Sequence, residues 1–164
     1  MSGLRKLYEH HLWANLRLLD ACEALPEAIL NGRVDGTYGT VTATLMHLVS
    51  SEEGYTARLL TGERVTDALD EEGPFPGFDE LRRRLRNTGE ALVDGIEAED
   101  PEHTYLVDGG KLVSTAALFL VQAINHGTEH RAHVNTTIST LGAEPVGLDA
   151  WEWGFATGQL RAPE

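Results

Sequence analysis

Residues 114–142 read STAALFLVQAINHGTEHRAHVNTTISTLG. Phe119, Leu120, Ala123, Val134, Ile138 and Leu141 fall on one face at helical spacing. Gly142 supplies the stop expected at a helix C-terminus. The pattern predicts a helix from about Ser114 to Leu141. Along one edge of its apolar face run His126, His130 and His133, inside an arc of roughly 60° at about 100° per residue.

Three further stretches carry the same periodicity. The first runs from about Ser2 to Ala24, with Ser2 as N-cap and Pro26 beyond its end. Its stripe is Leu4, Leu7, Tyr8, Leu12, Leu18, Leu19 and Cys22. His11 and Asn15 lie inside that stripe, so two polar side chains face the interior and need partners there. The second runs from about Thr40 to Leu60, ends at Thr61 and Gly62, and turns Val41, Leu45, Leu48, Val49, Tyr55 and Leu59 inward. His47 stands beside this stripe on a strip of small residues that includes Ser50, Ser51 and Gly54, which leaves room for a ligand or a close neighbour. The third, from about Phe78 to Ile96, is rich in charge and the most exposed.

A link of about fifteen residues containing EEGPFPG precedes the third helix and is long enough for a crossover. Between the third and fourth lies HTYLVDGGKLVS, two β-prone runs around Asp108, Gly109 and Gly110, a hairpin signature. The tail from Asp149 to Gln159 predicts a short helix whose Trp151, Trp153 and Phe155 pack on the bundle end or cap a pocket mouth. Each amphipathic helix can bury its stripe only against the others. The expected fold is therefore an all-α four-helix bundle with a small β-hairpin between the third and fourth helices and a short C-terminal helix, one domain over residues 1–164.

The chain has 13 basic and 26 acidic residues, a net charge of -13, which repels nucleic acid and anionic membrane surfaces. The cluster Arg82, Arg83, Arg84 and Arg86 reads as a solvated helix face. Cys22 is the single cysteine, so no internal disulfide forms, and it reads as a small buried hydrophobe. No charged leader opens the chain and no run approaches the roughly 20 apolar residues of a membrane span, so a cytoplasmic protein is expected. Trp13 projects opposite the buried stripe of its helix, and Val121 and Ile124 lie off the main apolar face of theirs. These residues point to a homodimer.

Imidazoles at i and i+4 are about 6 Å apart along a helix and nearly aligned, so His126 and His130 can share one metal ion. His133 could pair with His130, but about 10.5 Å of rise separates it from His126, too far for all three to serve one ion comfortably. A third ligand must come from another helix. His10 points to solvent by its phase and His103 lies in a loop, which leaves His47 and His11. His47 sits near the middle of its helix, as His126 and His130 do in theirs. A lone HxxxH is by itself a weak signal.

The segments YEHHLWANLRLLDACEALP, GTYGTVTATLMHLVSSEEGY and INHGTEHRAHVNTTISTLGAEP resemble, in order and spacing, the three landmarks of the DinB/YfiT-like superfamily of metal-binding helical bundles, related to bacillithiol- and mycothiol-dependent transferases. The likeness rests on Trp13, Ala14 and Asn15, on His47 followed five residues later by Glu52, and on His126, His130 and Arg131, and it spans essentially the whole chain. It implies that His47, His126 and His130 bind a divalent ion, zinc or nickel, and that the chain dimerises. His133 stands where the family often has glutamine. His11, Asn15 and His133 are the candidates for contacts around the ligands or with a substrate. Glu52, about 140° around the helix from His47, is assigned a packing or salt-bridge contact.

Three neutral ligands leave a divalent ion with uncompensated charge and an open position, where the pKa of water or a thiol falls. The resemblance implies a metal-bound thiolate attacking a small-molecule electrophile, with a low-molecular-weight thiol as co-substrate. Cationic groups in the pocket would favour this transfer. The alternatives are hydrolysis by metal-bound water with His133 or His11 as proton shuttle, and a metal-binding or stress-response protein without turnover, which an occluded site with no cavity would favour. No Glu-x-x-His pair occurs, which disfavours a di-iron centre.

Overall fold

The computed structural model describes residues 2–163. In chain order it contains α1 (Gly3–Glu23), a single turn α2 (Glu27–Leu30), α3 (Val41–Thr61), α4 (Phe78–Gly95), the strands β1 (Thr104–Val107) and β2 (Leu112–Thr115), α5 (Ala116–Thr140) and a short α6 (Ala150–Ala156). The four long helices, the antiparallel hairpin and the short terminal helix are those the sequence predicts.

Side-chain caps set the helix starts. The hydroxyls of Ser2, Thr40 and Thr115 accept from the amides of Arg5, Ala43 and Leu118, each satisfying an amide with no partner in its own helix. α5 begins later than expected because Ser114 and Thr115 first pair with Tyr105 and Thr104 to complete β2. The turn of the hairpin puts Asp108, Gly109 and Gly110 successively at φ +49°, +65° and +89°, a left-handed path that explains the Gly-Gly pair.

α1 packs on α4 and, over a shorter stretch, on α5, while α3 packs on both α4 and α5. Consecutive long helices α1 and α3 therefore face each other across the bundle diagonal. Two apolar clusters fill the interior. One gathers Leu18, Leu19, Cys22, Leu45, Val49, Leu81, Leu85 and Ile138; the other gathers Tyr8, Leu59, Leu92, Ile96, Tyr105, Leu120 and Ala123. Between them in helix position lie His11, Asn15, Glu52, His126, His130 and Arg131, all buried. Burial pushes the Cys22 thiol up to about 12, so it remains protonated and packs as an apolar side chain.

Several side chains depart from the helical pattern. Leu4 and Leu7, near the start of α1, and Leu141, just past the end of α5, are exposed. Trp151 and Phe155 are also exposed, and only Trp153 packs back, edge-on to His10 and beneath Lys6. That packing corrects the expectation for His10: it is half-buried, its Nε2 lies 2.9 Å from the Leu148 carbonyl, and Trp13 and Trp153 flank its ring. Trp13 itself is half-buried, with the Arg17 guanidinium over its ring. Arg82 pairs with Asp20, Glu23 and Asp79, and Arg83 with Glu80, so these members of the basic cluster are charge-compensated. Among the described residues no helix is long and apolar enough to cross a membrane.

Candidate metal centre

His47 on α3 and His126 and His130 on α5 meet in the middle of the bundle. One potential ligand atom from each lies within 4.8 Å of the other two. Ring centroids are 5.0 Å apart for His47 and His126, 4.8 Å for His47 and His130, and 4.2 Å for His126 and His130. His133 stands outside this group, half-buried, its ring 5.5 Å from that of His130. The extra turn that separates it from His130 carries it past the meeting point.

The hydrogen bonds fix how His47 faces its neighbours. Its Nδ1 lies 2.8 Å from Glu71 Oε2, and a carboxylate can only accept, so His47 donates from Nδ1 and turns a bare Nε2 inward. That Nε2 is 3.0 Å from His126 Nε2. Two imidazole nitrogens bound at about 2.0–2.1 Å to a tetrahedral ion would be about 3.3 Å apart, so this pair stands close to the required spacing. The Nδ1 atoms of His126, His130 and His133 are buried and have no hydrogen-bond partner among the described residues. Burial, reinforced by the neighbouring imidazoles, lowers the pKa of His130 to about 4, and burial followed by His47 lowers that of His126. Both rings are then neutral near pH 7 and present lone pairs. The donor set fits a divalent transition-metal ion.

Two residues around the cluster were not singled out from sequence. Tyr38 stacks on His47 at 4.2 Å between centroids and meets His130 edge-on at 5.0 Å. It comes from the turn before α3, where an antiparallel bridge between Arg33 and Thr40 folds the chain over the cluster. A lone aromatic between Gly36 and Gly39 was the available signal. Glu71 comes from the link between α3 and α4. Buried Glu53 anchors that link, its Oε2 accepting from the Leu69 amide at 2.8 Å and its Oε1 from Arg84 Nη1 at 2.7 Å. Nothing in a run of acidic residues marks one as a histidine partner.

His11 and Asn15 belong to a separate buried network. Arg131 Nη1 lies 3.2 Å from His11 Nδ1 and 2.7 Å from Asn15 Oδ1. A guanidinium can only donate, so His11 accepts at Nδ1 and donates from Nε2 to Glu52 Oε1 at 2.7 Å. Glu52 thus makes the salt-bridge-type contact expected of it, and His11 bridges a buried carboxylate and a buried guanidinium. Gly127 makes room for this, because a Cβ there would collide with His11 Cε1 and crowd Arg131 Nη1. Next to the histidines, Tyr55 lies edge-on to His126 and forms a wall of a cavity of about 370 Å³.

The comparisons with known proteins agree with this architecture. The DinB family model matches residues 1–159, and the chain belongs to the DinB family. Protein DinB of Bacillus subtilis (strain 168) is 22% identical over 167 residues, covering 96% of each chain. The solved structure of YfiT from Bacillus subtilis, described as a probable metal-dependent hydrolase with an unusual four-helix bundle topology, shares the fold. Its TM-score is 0.67 at 18% identity, over 88% of this chain and 91% of YfiT.

Proposed function

From membership of the DinB family and the meeting of three imidazoles, we propose a metal-dependent enzyme in which His47, His126 and His130 hold one divalent ion, zinc or nickel. The observation that carries this is the set of potential ligand atoms within 4.8 Å of one another, all from histidine. Such an ion supplies Lewis acidity that makes a thiolate or hydroxide available near neutral pH. The chain's own residues prepare the site. Glu71 orients His47 and raises its basicity, Tyr38 covers its ring, and burial holds His126 and His130 neutral. The adjoining cavity supports turnover over mere storage.

In the first reading the nucleophile is a low-molecular-weight thiol and the reaction is S-transfer to a small electrophile. A second reading, hydrolysis, is favoured by the description of YfiT and by His133, a half-buried imidazole 5.5 Å from that of His130 that is placed to relay a proton. Elemental analysis of tag-free protein tests the site. One equivalent of metal is expected, lost in His47→Ala and in His130→Ala. Turnover of an electrophile and ester panel with and without added thiol separates the two reactions: transfer requires the thiol and hydrolysis does not.

The proposal includes a homodimer in the cytoplasm, without nucleic-acid or membrane partners. An exposed apolar groove of about 380 Å³ between α1 and α5, lined by Leu4, Leu7, Leu120, Val121 and Ile124, supports pairing of two copies. The net charge of -13 and a single buried cysteine support the rest.

A further inference from the structure

The strip of small residues beside His47 leads along α3 to a second feature. His47, Ser51, Gly54, Tyr55 and Arg58 stand at i, i+4, i+7, i+8 and i+11, one continuous helical face. On the opposing α5, Phe119 stands seven residues before His126 and continues that helix's face in the same direction. The cavity of about 370 Å³ is lined by Ser51, Gly54, Tyr55, Arg58, Arg64 and Phe119. Tyr55 belongs to both places, since its ring is 5.6 Å from that of His126 and its hydroxyl accepts from Gln122 Nε2 at 3.4 Å. Between His47 and Arg58 this face of the helix carries only Ser51, Gly54 and Tyr55, two of them small. From His47 to Arg58 the helix rises about 16 Å, the length of a small metabolite plus an arginine side chain.

The two arginines are unlike most others in this acidic chain. Arg5, Arg17, Arg82, Arg83 and Arg84 each pair with a carboxylate. Among the described residues neither Arg58 nor Arg64 does. Arg58 is half-buried and donates from Nη1 to the Gly62 carbonyl at 2.6 Å, which leaves its other donors free. Arg64 has no hydrogen bond to a described residue. The one carboxylate in the wall, Asp108, lies 3.5 Å from Lys111 Nζ, which offsets its charge. The remaining lining is mostly apolar, Val65 and Val107 joining the two aromatic rings.

We propose that this cavity is an anion subsite for the substrate. Arg58 and Arg64 take a carboxylate or phosphate group, Tyr55 and Phe119 hold an apolar body, and the opposite end of the molecule reaches His47 and His126. A planar guanidinium matches either acid through paired N–H donors, and partial burial of Arg58 strengthens the contact. The direction of the reacting end rests on the proposed function, whereas recognition of the acid group does not.

Binding of three probes by isothermal titration calorimetry tests the subsite: 4-phenylbutyrate, phenethyl phosphate and the neutral 4-phenylbutyramide. At least one acid is expected to bind about tenfold tighter than the amide, and the tighter of the two acids identifies the preferred group. The preference is expected to shrink in Arg64→Gln, a surface change that leaves the fold intact, and to vanish in the double variant R58Q/R64Q, with zinc stoichiometry unchanged. Equal affinity for acids and amide, no binding of any probe at about 10 mM, or a preference that survives in the double variant overturns the proposal. If zinc does not bind while the arginine-dependent preference remains, the metalloenzyme reading falls and the subsite stands.

Discussion

Nδ1 of His47 donates to Glu71 Oε2 across 24 sequence positions and 2.8 Å of space, so a loop carboxylate sets which nitrogen a helix histidine offers to the cluster. Glu71→Ala removes both the acceptor and the charge, and zinc affinity is expected to fall about 10- to 100-fold. Glu71→Gln keeps an acceptor and should fall less. Competition against a chromophoric chelator measures both; unchanged affinity in Glu71→Ala contradicts the orienting role.

The loop that carries Glu71 hangs on Glu53, which is 7% exposed and bonded to Arg84 and to the Leu69 amide. Glu53→Ala leaves the buried Leu69 amide without its acceptor and removes one of the two carboxylates on Arg84, which keeps Glu80 and the Asp67 carbonyl, so about 1–3 kcal/mol of stability is expected to go. Urea unfolding gives that loss. Faster amide exchange around residues 67–72 should accompany it, together with a weaker zinc site.

Two helix glycines should respond to alanine with opposite signs. At Gly89 the added Cβ meets Cγ and both methyls of Leu12, a flexible side chain that must shift, so only part of the helix-propensity gain of up to about 1 kcal/mol survives. At Gly127 it meets the ring of His11, held on both nitrogens by Glu52 and Arg131, and overpacking costs about 1–3 kcal/mol. Thermal unfolding of Gly89→Ala and Gly127→Ala reads the difference; stabilisation by Gly127→Ala would show that His11 is not locked.

The acid response of the metal-free protein has a histidine window. With His130 at about 4 when folded against 6.5 as its ordinary value, the unfolded chain binds more protons between those limits. That contribution to stability is complete above pH 6.5 and is lost as pH falls toward 4. Paired carboxylates such as Glu80, held down to about 2 by Arg83 and Arg84, act below their ordinary value of 4.5. A melting temperature that declines from pH 6.5 to 4.5, less steeply in His130→Gln, is the expected outcome.

A charge placed in the α1–α5 groove should separate two copies. Val121→Glu, at a position 65% exposed, is expected to halve the mass seen by light scattering without changing helix content. Equal masses for variant and parent would remove this groove as the contact.

The bundle was legible because the stripes of four helices carry their own period, and His126 and His130 were legible because an i, i+4 pair needs only local geometry. His47 could be weighed against His11 by its level along the helix. Tyr38 and Glu71 were out of reach, since loops are placed by distant anchors, the Arg33–Thr40 bridge and the Glu53 carboxylate. His10 was misjudged for a related reason: its phase on α1 faces outward, but the tail returns to cover it.

Cys22 is fully enclosed among Leu18, Leu19 and their neighbours, and no other sulfhydryl exists in the molecule. An alkylating dye can therefore tag the protein only when the whole interior comes apart, so its incorporation rate acts as a built-in stopwatch for global opening. Under the proposed thiol transfer, the same enclosure keeps the protein's own sulfur out of the traffic.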